Sequence, residues 1–262
     1  MNFNWAEYLI LILCIATTAK GYGILENETS DKKVLEKSIT GCLPFVNASG
    51  VHKIDAPGIK SFDVLCDNEV AGPGWTVIQR RSLGTRDQLY DIWDKKKTRE
   101  DFYRNWSAYR EGFGSFDFEF FLGLEKIHRL TANQHHELYI QLEDLRKYVT
   151  YAHYDHFVIS GEDEQYKLSS LGNFSGTARN DLFWHLNMKF TTFDRDNDLW
   201  RNGNCAKRNH GGWWYHMCAS CNLNGKYNMG GAVYNDSRSI YWDDLDPLSS
   251  VMMLIRPKMS VK

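Results

Sequence analysis

The sequence predicts a mixed α+β domain, and three observations carry that expectation. A β-branched and aromatic run, Trp75-Thr-Val-Ile-Gln-Arg-Arg81, follows a Gly-Pro-Gly turn. A helical stripe of Phe102, Trp106 and Tyr109 comes after it, and the apolar run Val251 to Ile255 lies near the end. Strand and helix signals alternate without a repeating βαβ pattern, and the stretch from about Leu168 to Asp246 is irregular and glycine-rich.

Taken in order, the run from Trp75 to Arg81 reads as a strand. Thr98-x-x-Asp101 resembles a capped helix start, with Phe102, Trp106 and Tyr109 at i, i+4 and i+7 as a buried face and Gly112 as the stop. A second helix is expected over Gly123 to Leu130. Glu137 to Asp144 alternates as a strand, and a single long strand is expected from Tyr148 to Ile159. Asn180 to His185 reads as a short helix. Val251 to Ile255 reads as a fully apolar closing strand terminated by Pro257.

The ends bound the compartment. Tyr8 to Ala16 is an apolar run of signal-peptide length, with small residues for cleavage at Thr17-x-Ala19 or Ala19-x-Gly21. Residues 1–19 are therefore expected to be a signal peptide, with cleavage as late as residue 23, and the run is too short to span a bilayer. Residues 24–40 are polar and carry too few apolar positions for heptads, so they read as a linker. No coiled-coil or collagen stalk is encoded, and a homo-oligomer, while compatible with the sequence, has no visible stem. Sequons at Asn27, Asn47, Asn105, Asn173 and Asn235 agree with a secreted, extracellular glycoprotein. The net charge of −2 and the lack of a basic stripe argue against nucleic acid.

The most informative segment runs from Phe193 to Gly225. Asp194, Asp196 and Asp198 alternate, and three unpaired carboxylates so close repel one another, so a hard cation such as calcium is the economical partner. A solvated acidic turn without metal is the other reading. An EF-hand is excluded, because counting from Asp194 the sixth position is Leu199 rather than Gly and the twelfth is Cys205 rather than Glu. With Cys14 in the signal, Cys42, Cys66, Cys205, Cys218 and Cys221 remain. Local pairing in an oxidising compartment joins Cys42 to Cys66 and Cys205 to Cys218 and leaves Cys221 over. The competing reading takes Cys218-x-x-Cys221 with Cys205, His210 or His216 as a zinc or redox site. Closing the 205–218 loop by a disulfide contributes about 3 kcal/mol if its effect is the lost entropy of the unfolded state. Trp213, Trp214 and Tyr215 inside it suit core packing or stacking on a ligand.

These residues carry a resemblance. Gly74-Trp-Thr-Val-Ile-Gln-Arg-Arg81, Asp101-Phe-Tyr-Arg-Asn-Trp-Ser-Ala-Tyr109 with Gly112-Phe-Gly114, Leu122-Gly-Leu-Glu-Lys-Ile-His128, Phe190-Thr-Thr-Phe-Asp-Arg-Asp-Asn-Asp198 and Asn222-Leu-Asn-Gly225 make residues 41–258 similar to the fibrinogen C-terminal-like domain of fibrinogen, ficolins, tachylectins and angiopoietin-type ligands. The resemblance implies a central antiparallel sheet, short flanking helices and a loop-rich subdomain that binds calcium. It implies calcium ligation by the carboxylates of Asp196 and Asp198 and the carbonyls of Trp200 and Asn202, disulfides Cys42–Cys66 and Cys205–Cys218, and a cis peptide between Met217 and Cys218. The acetyl pocket of the ficolin-like lectins corresponds here to Asn209, Ala219 and Tyr234, near Tyr215, Met217 and Cys218. Two of the three pocket positions depart from the family's aromatic and histidine. Cys221 stands where the family commonly has Ser.

The leading expectation is thus a secreted, calcium-dependent recognition protein of the innate-immune lectin type, binding glycans or acetylated surface groups. The alternative is a secreted ligand for a receptor ectodomain, of the angiopoietin-like kind, with the acetyl pocket lost. No catalytic activity is expected. In Gly172-Asn-Phe-Ser-Gly176 the serine falls one place too late for a nucleophile elbow, and the histidines have no partner readable from sequence.

Overall fold

A computed structural model describes residues 40–82, 100–227, 237–242 and 247–258. Its frame is a nine-stranded antiparallel sheet. Strands β1 (Gly50–Ile54), β2 (Phe62–Asp67) and β3 (Trp75–Ser82) form one side, and β6 (His136–Asp144), β7 (Val149–Tyr154) and β10 (Phe174–Gly176) the other. β13 (Leu248–Pro257) joins the halves by pairing with both β3 and β6. Its apolar centre follows from that position, since a central strand is covered on both faces: Val251, Met253, Leu254 and Ile255 are all buried. The closing strand expected at Val251 to Ile255 is therefore the middle of the sheet. Pro257 sits at its last position, opposite His136.

Two short strands, β4 (Phe113–Gly114) and β5 (Phe120–Phe121), make a hairpin that adds to β3. The helices are short: α1 (Trp106–Glu111), α2 (Leu124–Thr131) and α3 (Cys205–Asn209). The α+β expectation holds.

The first helix is shorter than the spacing predicts. It begins after Asn105, whose side chain accepts from the Ala108 N–H, and not at Asp101. Asp101 instead accepts the Tyr103 N–H at 2.9 Å, a local turn that competes with helix. The buried face survives, because Phe102, Trp106 and Tyr109 all reach the core. Gly112 ends the helix as expected, with φ of +95°, and a Cβ there would lie 2.3 Å from the Leu122 carbonyl oxygen.

The single strand expected over Tyr148 to Ile159 is two. The N–H groups of Asp155 and His156 turn to the carbonyls of Asn173 and Leu171, at 3.1 and 3.3 Å, so the main-sheet ladder stops at Tyr154. The backbone resumes as β8 (Val158–Ile159), paired with β9 (Leu168–Ser170) in a separate small sheet. The expected short helix at Asn180 to His185 is a 3-10 turn, Asp181–His185.

One face of β3 reaches across to the irregular region. Arg81 is buried, donates from Nε to Glu119 at 3.1 Å, and donates from its terminal nitrogen to the carbonyls of Leu223 and Gly225 at 3.2 and 2.9 Å. Its guanidinium also stacks on Phe102 at 3.8 Å. Glu119 accepts in addition from the N–H groups of Ser82 and Glu100 and from the Tyr227 hydroxyl. Gln79, two residues earlier on the same face, donates to Leu223 and Asn224. Removing one member of a buried pair leaves an uncompensated charge. We expect Glu119→Ala to lower unfolding free energy by about 3 to 5 kcal/mol, measured by urea denaturation. A loss under ~1 kcal/mol, the range of an exposed pair, contradicts that assignment.

Candidate functional site

The site is built from the segments after Phe190, and hydrogen bonds fix them to the core. Tyr109 donates its hydroxyl to the Phe102 carbonyl at 2.7 Å and accepts the Gly212 N–H at 3.0 Å. Burial pushes that phenol far up from its ordinary range. Asn224 donates to the Gly212 carbonyl, Asn222 to the Asn209 carbonyl, and the Trp214 indole to the Tyr166 carbonyl. Trp213, Trp214 and Tyr215 are fully buried, so the aromatic run of the loop is core. His185, on the 3-10 turn, is the strut beneath the loop. Its Nδ1 lies 2.7 Å from the Trp214 carbonyl, which makes it the donor, while Nε2 accepts the N–H groups of Ser220 and Cys221 at 3.3 and 3.4 Å. Both ring nitrogens are thus satisfied in the neutral ring, and burial pushes the pKa down to about 4.

The three aspartates divide by role. Asp194 accepts the Trp106 N–H at 2.9 Å and the Thr192 hydroxyl at 2.7 Å, so it anchors the start of α1. Asp198 accepts the N–H groups of Trp200 and Cys205 at 2.8 and 2.7 Å, and its own N–H approaches Asp196 Oδ1 at 3.3 Å. Burial raises the Asp198 pKa, the two N–H groups pull it down, and the neighbouring Asp196 raises it further, for a net rise. A half-buried Asp198 carboxyl with the Asp196 carboxylate beside it suits a hard cation. Among the described residues no group of three or more His, Cys, Asp or Glu side chains meets at one point. A calcium ion here therefore depends on Asp196, Asp198 and backbone oxygens. Asn204 closes the loop by capping α3, accepting from Lys207 at 2.8 Å and donating to the Thr192 carbonyl at 3.1 Å.

Cys205 and Cys218 are disulfide-bonded, as are Cys42 and Cys66, and the Met217–Cys218 peptide is cis. Cys221 is a buried thiol on β11 (Cys221–Asn222), which pairs with β12 (Tyr241–Trp242). Of the positions aligned with an acetyl pocket, Asn209 and Tyr215 are 1% and 0% exposed, Cys218 and Ala219 are half-buried, and Met217 is open to solvent. Tyr234, Asn27, Asn235 and the expected signal and linker lie outside the described residues, apart from Thr40. Asn47, Asn105 and Asn173 are exposed.

Sequence reasoning missed two features. Phe183, Trp184, Leu199 and Met217 are 59%, 55%, 52% and 62% exposed. Three of them are linked through His216, whose ring lies 5.0 Å from that of Trp184, whose carbonyl accepts the Leu199 N–H and whose successor is Met217. The adjacent Phe-Trp pair of a polar turn was the signal that could have found it. A second feature is a row across the sheet, Ser175 to His153 at 3.1 Å and His153 to Glu137 at 2.8 Å. It follows from strand register, in which Ser175 faces His153 and Glu137 faces Arg256, the residue that also holds its carboxylate.

The fold is shared with known proteins. The family model for the C-terminal globular domain of the fibrinogen beta and gamma chains matches residues 45–260. Angiopoietin-related protein 6 of Homo sapiens is 39% identical over 216 residues, covering 80% of this protein and 42% of its own length. Ficolin-3 of Homo sapiens is 42% identical over 186 residues, covering 71% of this protein and 57% of its own. The present sequence thus spans about two-fifths to three-fifths of these relatives. Among solved structures, the fibrinogen-like globe domain of human ANGPTL2 superposes with a TM-score of 0.74 at 35% identity, over 84% of this protein and 100% of that one. A lamprey fibrin D-dimer complexed with the peptide Gly-His-Arg-Pro-amide does so at 0.71 and 30% identity, over 97% and 83%.

A pH prediction follows from His185. Its folded pKa lies below the unfolded value of 6.5, so its contribution is complete above pH 6.5 and is lost as the pH falls towards about 4. That loss is expected to reach up to ~3 kcal/mol. In His185→Gln, denaturation midpoints should vary less between neutral and mildly acid pH than in the parent. Parallel pH curves for the two proteins contradict the neutral, buried histidine.

Proposed function

The chain belongs to the fibrinogen C-terminal globular domain family, and from that membership we propose that it is an exported recognition protein whose ligand-facing loop is ordered by a calcium ion. The apolar run Tyr8 to Ala16 and the exposed sequons Asn47, Asn105 and Asn173 support export. The juxtaposition of Asp196 and Asp198 carries the calcium reading. Held by both carboxylates and the carbonyls of Trp200 and Asn202, calcium would supply the positive charge that a half-buried Asp198 beside Asp196 lacks. Asp198 transmits that order through its hydrogen bond to Cys205, the first cysteine of the loop disulfide.

The partner that the geometry supports best is a protein ectodomain. The side chains of Trp184, Leu199 and Met217 face solvent beside the acidic loop, and large exposed apolar groups of this kind are characteristic of protein interfaces. The peptide carried by the lamprey fibrin D-dimer agrees with protein recognition by this fold. Asn209, at the place of the family's pocket aromatic, and the neighbouring Tyr215 are buried and offer no open wall for an acetyl group. A glycan or acetyl-group reading stands second, favoured by the likeness to ficolin-3.

Calcium is expected to bind in the extracellular range of about 10⁻⁴ to 10⁻³ M, and Asp196→Ala to weaken it about tenfold or more in calorimetry. Identical isotherms for parent and variant contradict the carboxylate assignment. Retention on an acetylated-sugar resin that chelator reverses supports the glycan reading. Capture of a receptor ectodomain that Trp184→Ala abolishes and sugar does not compete supports the protein reading.

A further inference from the structure

A cavity of about 380 Å³ lies away from the acidic loop, between the β4–β5 hairpin and the start of α2. Its apolar wall includes Phe113, Phe116 and Phe120, the last two meeting edge to face at 4.8 Å. Lys126 lines the same cavity from α2 and is half-buried. Its ammonium donates to the carbonyls of Glu111 and Leu122 at 2.6 and 3.1 Å, both backbone groups without formal charge. The acids nearby are engaged elsewhere: the Glu111 carboxylate holds Arg110 at 3.0 Å, and Asp63 on the rim pairs with Lys53 at 3.6 Å. Burial lowers the Lys126 pKa, with the more distant charge of Glu111 offsetting part of the fall. A partly desolvated cation that ends on two carbonyls and lies 5.9 Å over the Phe62 ring, in a cavity lined also by phenylalanines, is complementary to an anion carrying an apolar body.

We propose that this cavity binds a small apolar carboxylate, its aryl or alkyl body against Phe113, Phe116 and Phe120 and its carboxylate on the Lys126 ammonium. The carboxylate receives the third N–H of Lys126, making a charge-assisted hydrogen bond in a site of reduced dielectric. The cavity falls within the usual range for small-molecule sites. The assignment is independent of calcium and of the partner at the acidic loop.

The test is a titration of the calcium-loaded protein with 3-phenylpropionate, followed by heteronuclear NMR, beside the uncharged 3-phenylpropanol. Saturable shifts confined to residues 112–126 and the facing end of β2 are expected, with the alcohol binding about tenfold more weakly. Lys126→Arg should keep acid binding within about threefold and Lys126→Met should lose about tenfold. The Met variant also uncovers the Glu111 and Leu122 carbonyls, so the acid-against-alcohol comparison in the unaltered protein is decisive. Equal affinity for acid and alcohol, shifts centred elsewhere, or no saturation at millimolar acid overturns the proposal.

Discussion

At the centre of the molecule one guanidinium, Arg81, joins the sheet to the irregular segment around Leu223 and Gly225. It leaves β3 on the face opposite solvent, meets Glu119 from the β4–β5 hairpin, and ends on the carbonyls of Leu223 and Gly225. A buried ion pair is favourable when its remaining lone pairs and protons are also satisfied. Glu119 meets that condition through Ser82, Glu100 and Tyr227, and Arg81 through the loop carbonyls and the Phe102 ring. An irregular segment has no ladder of its own to satisfy its carbonyls. Side chains from the rigid strand take that place, and the loop inherits a fixed position.

The same device recurs outward from the core. Gln79, Asn222, Asn224, Tyr109 and His185 each bind backbone groups of residues 209–225. The buried aromatics Trp213, Trp214 and Tyr215 fill the space between these struts. The surface of this region includes the acidic turn of Asp196 and Asp198, the Met217–Ala219 segment and the Trp184 turn. The Cys205–Cys218 bridge acts on this outer layer, whereas Arg81 and its neighbours set the inner one.

Much of the fold was legible because its signals are local. The β-branched run of β3, the alternation of β6 and the apolar centre of β13 each state their burial in their own sequence. The helix start at Asn105 was not, because Asp101 and Asn105 are both good caps and the choice is made by where Phe102 and Tyr109 lock together. The break after Tyr154 was hidden for a similar reason, since the partners that end the strand come from residues 171–173. In the site, the spacing of the aspartates pointed to a cation, but the diversion of Asp194 to α1 is a long-range contact that spacing does not reveal. Tyr215 is inside, one of the two roles its loop position allows, and Trp184 is outside, and the choice depends on packing around His185 and His216 that the sequence does not display.

The central claim is that β3 holds residues 209–225 in place. Regionally resolved hydrogen exchange on Arg81→Met tests it most directly. Protection should fall selectively in residues 209–225 while the β6 and β7 amides keep theirs, because the carbonyls of Leu223 and Gly225 and the Glu119 carboxylate lose a donor and the β6–β7 ladder does not. Unchanged protection in 209–225, or an equal loss throughout the sheet, contradicts the account.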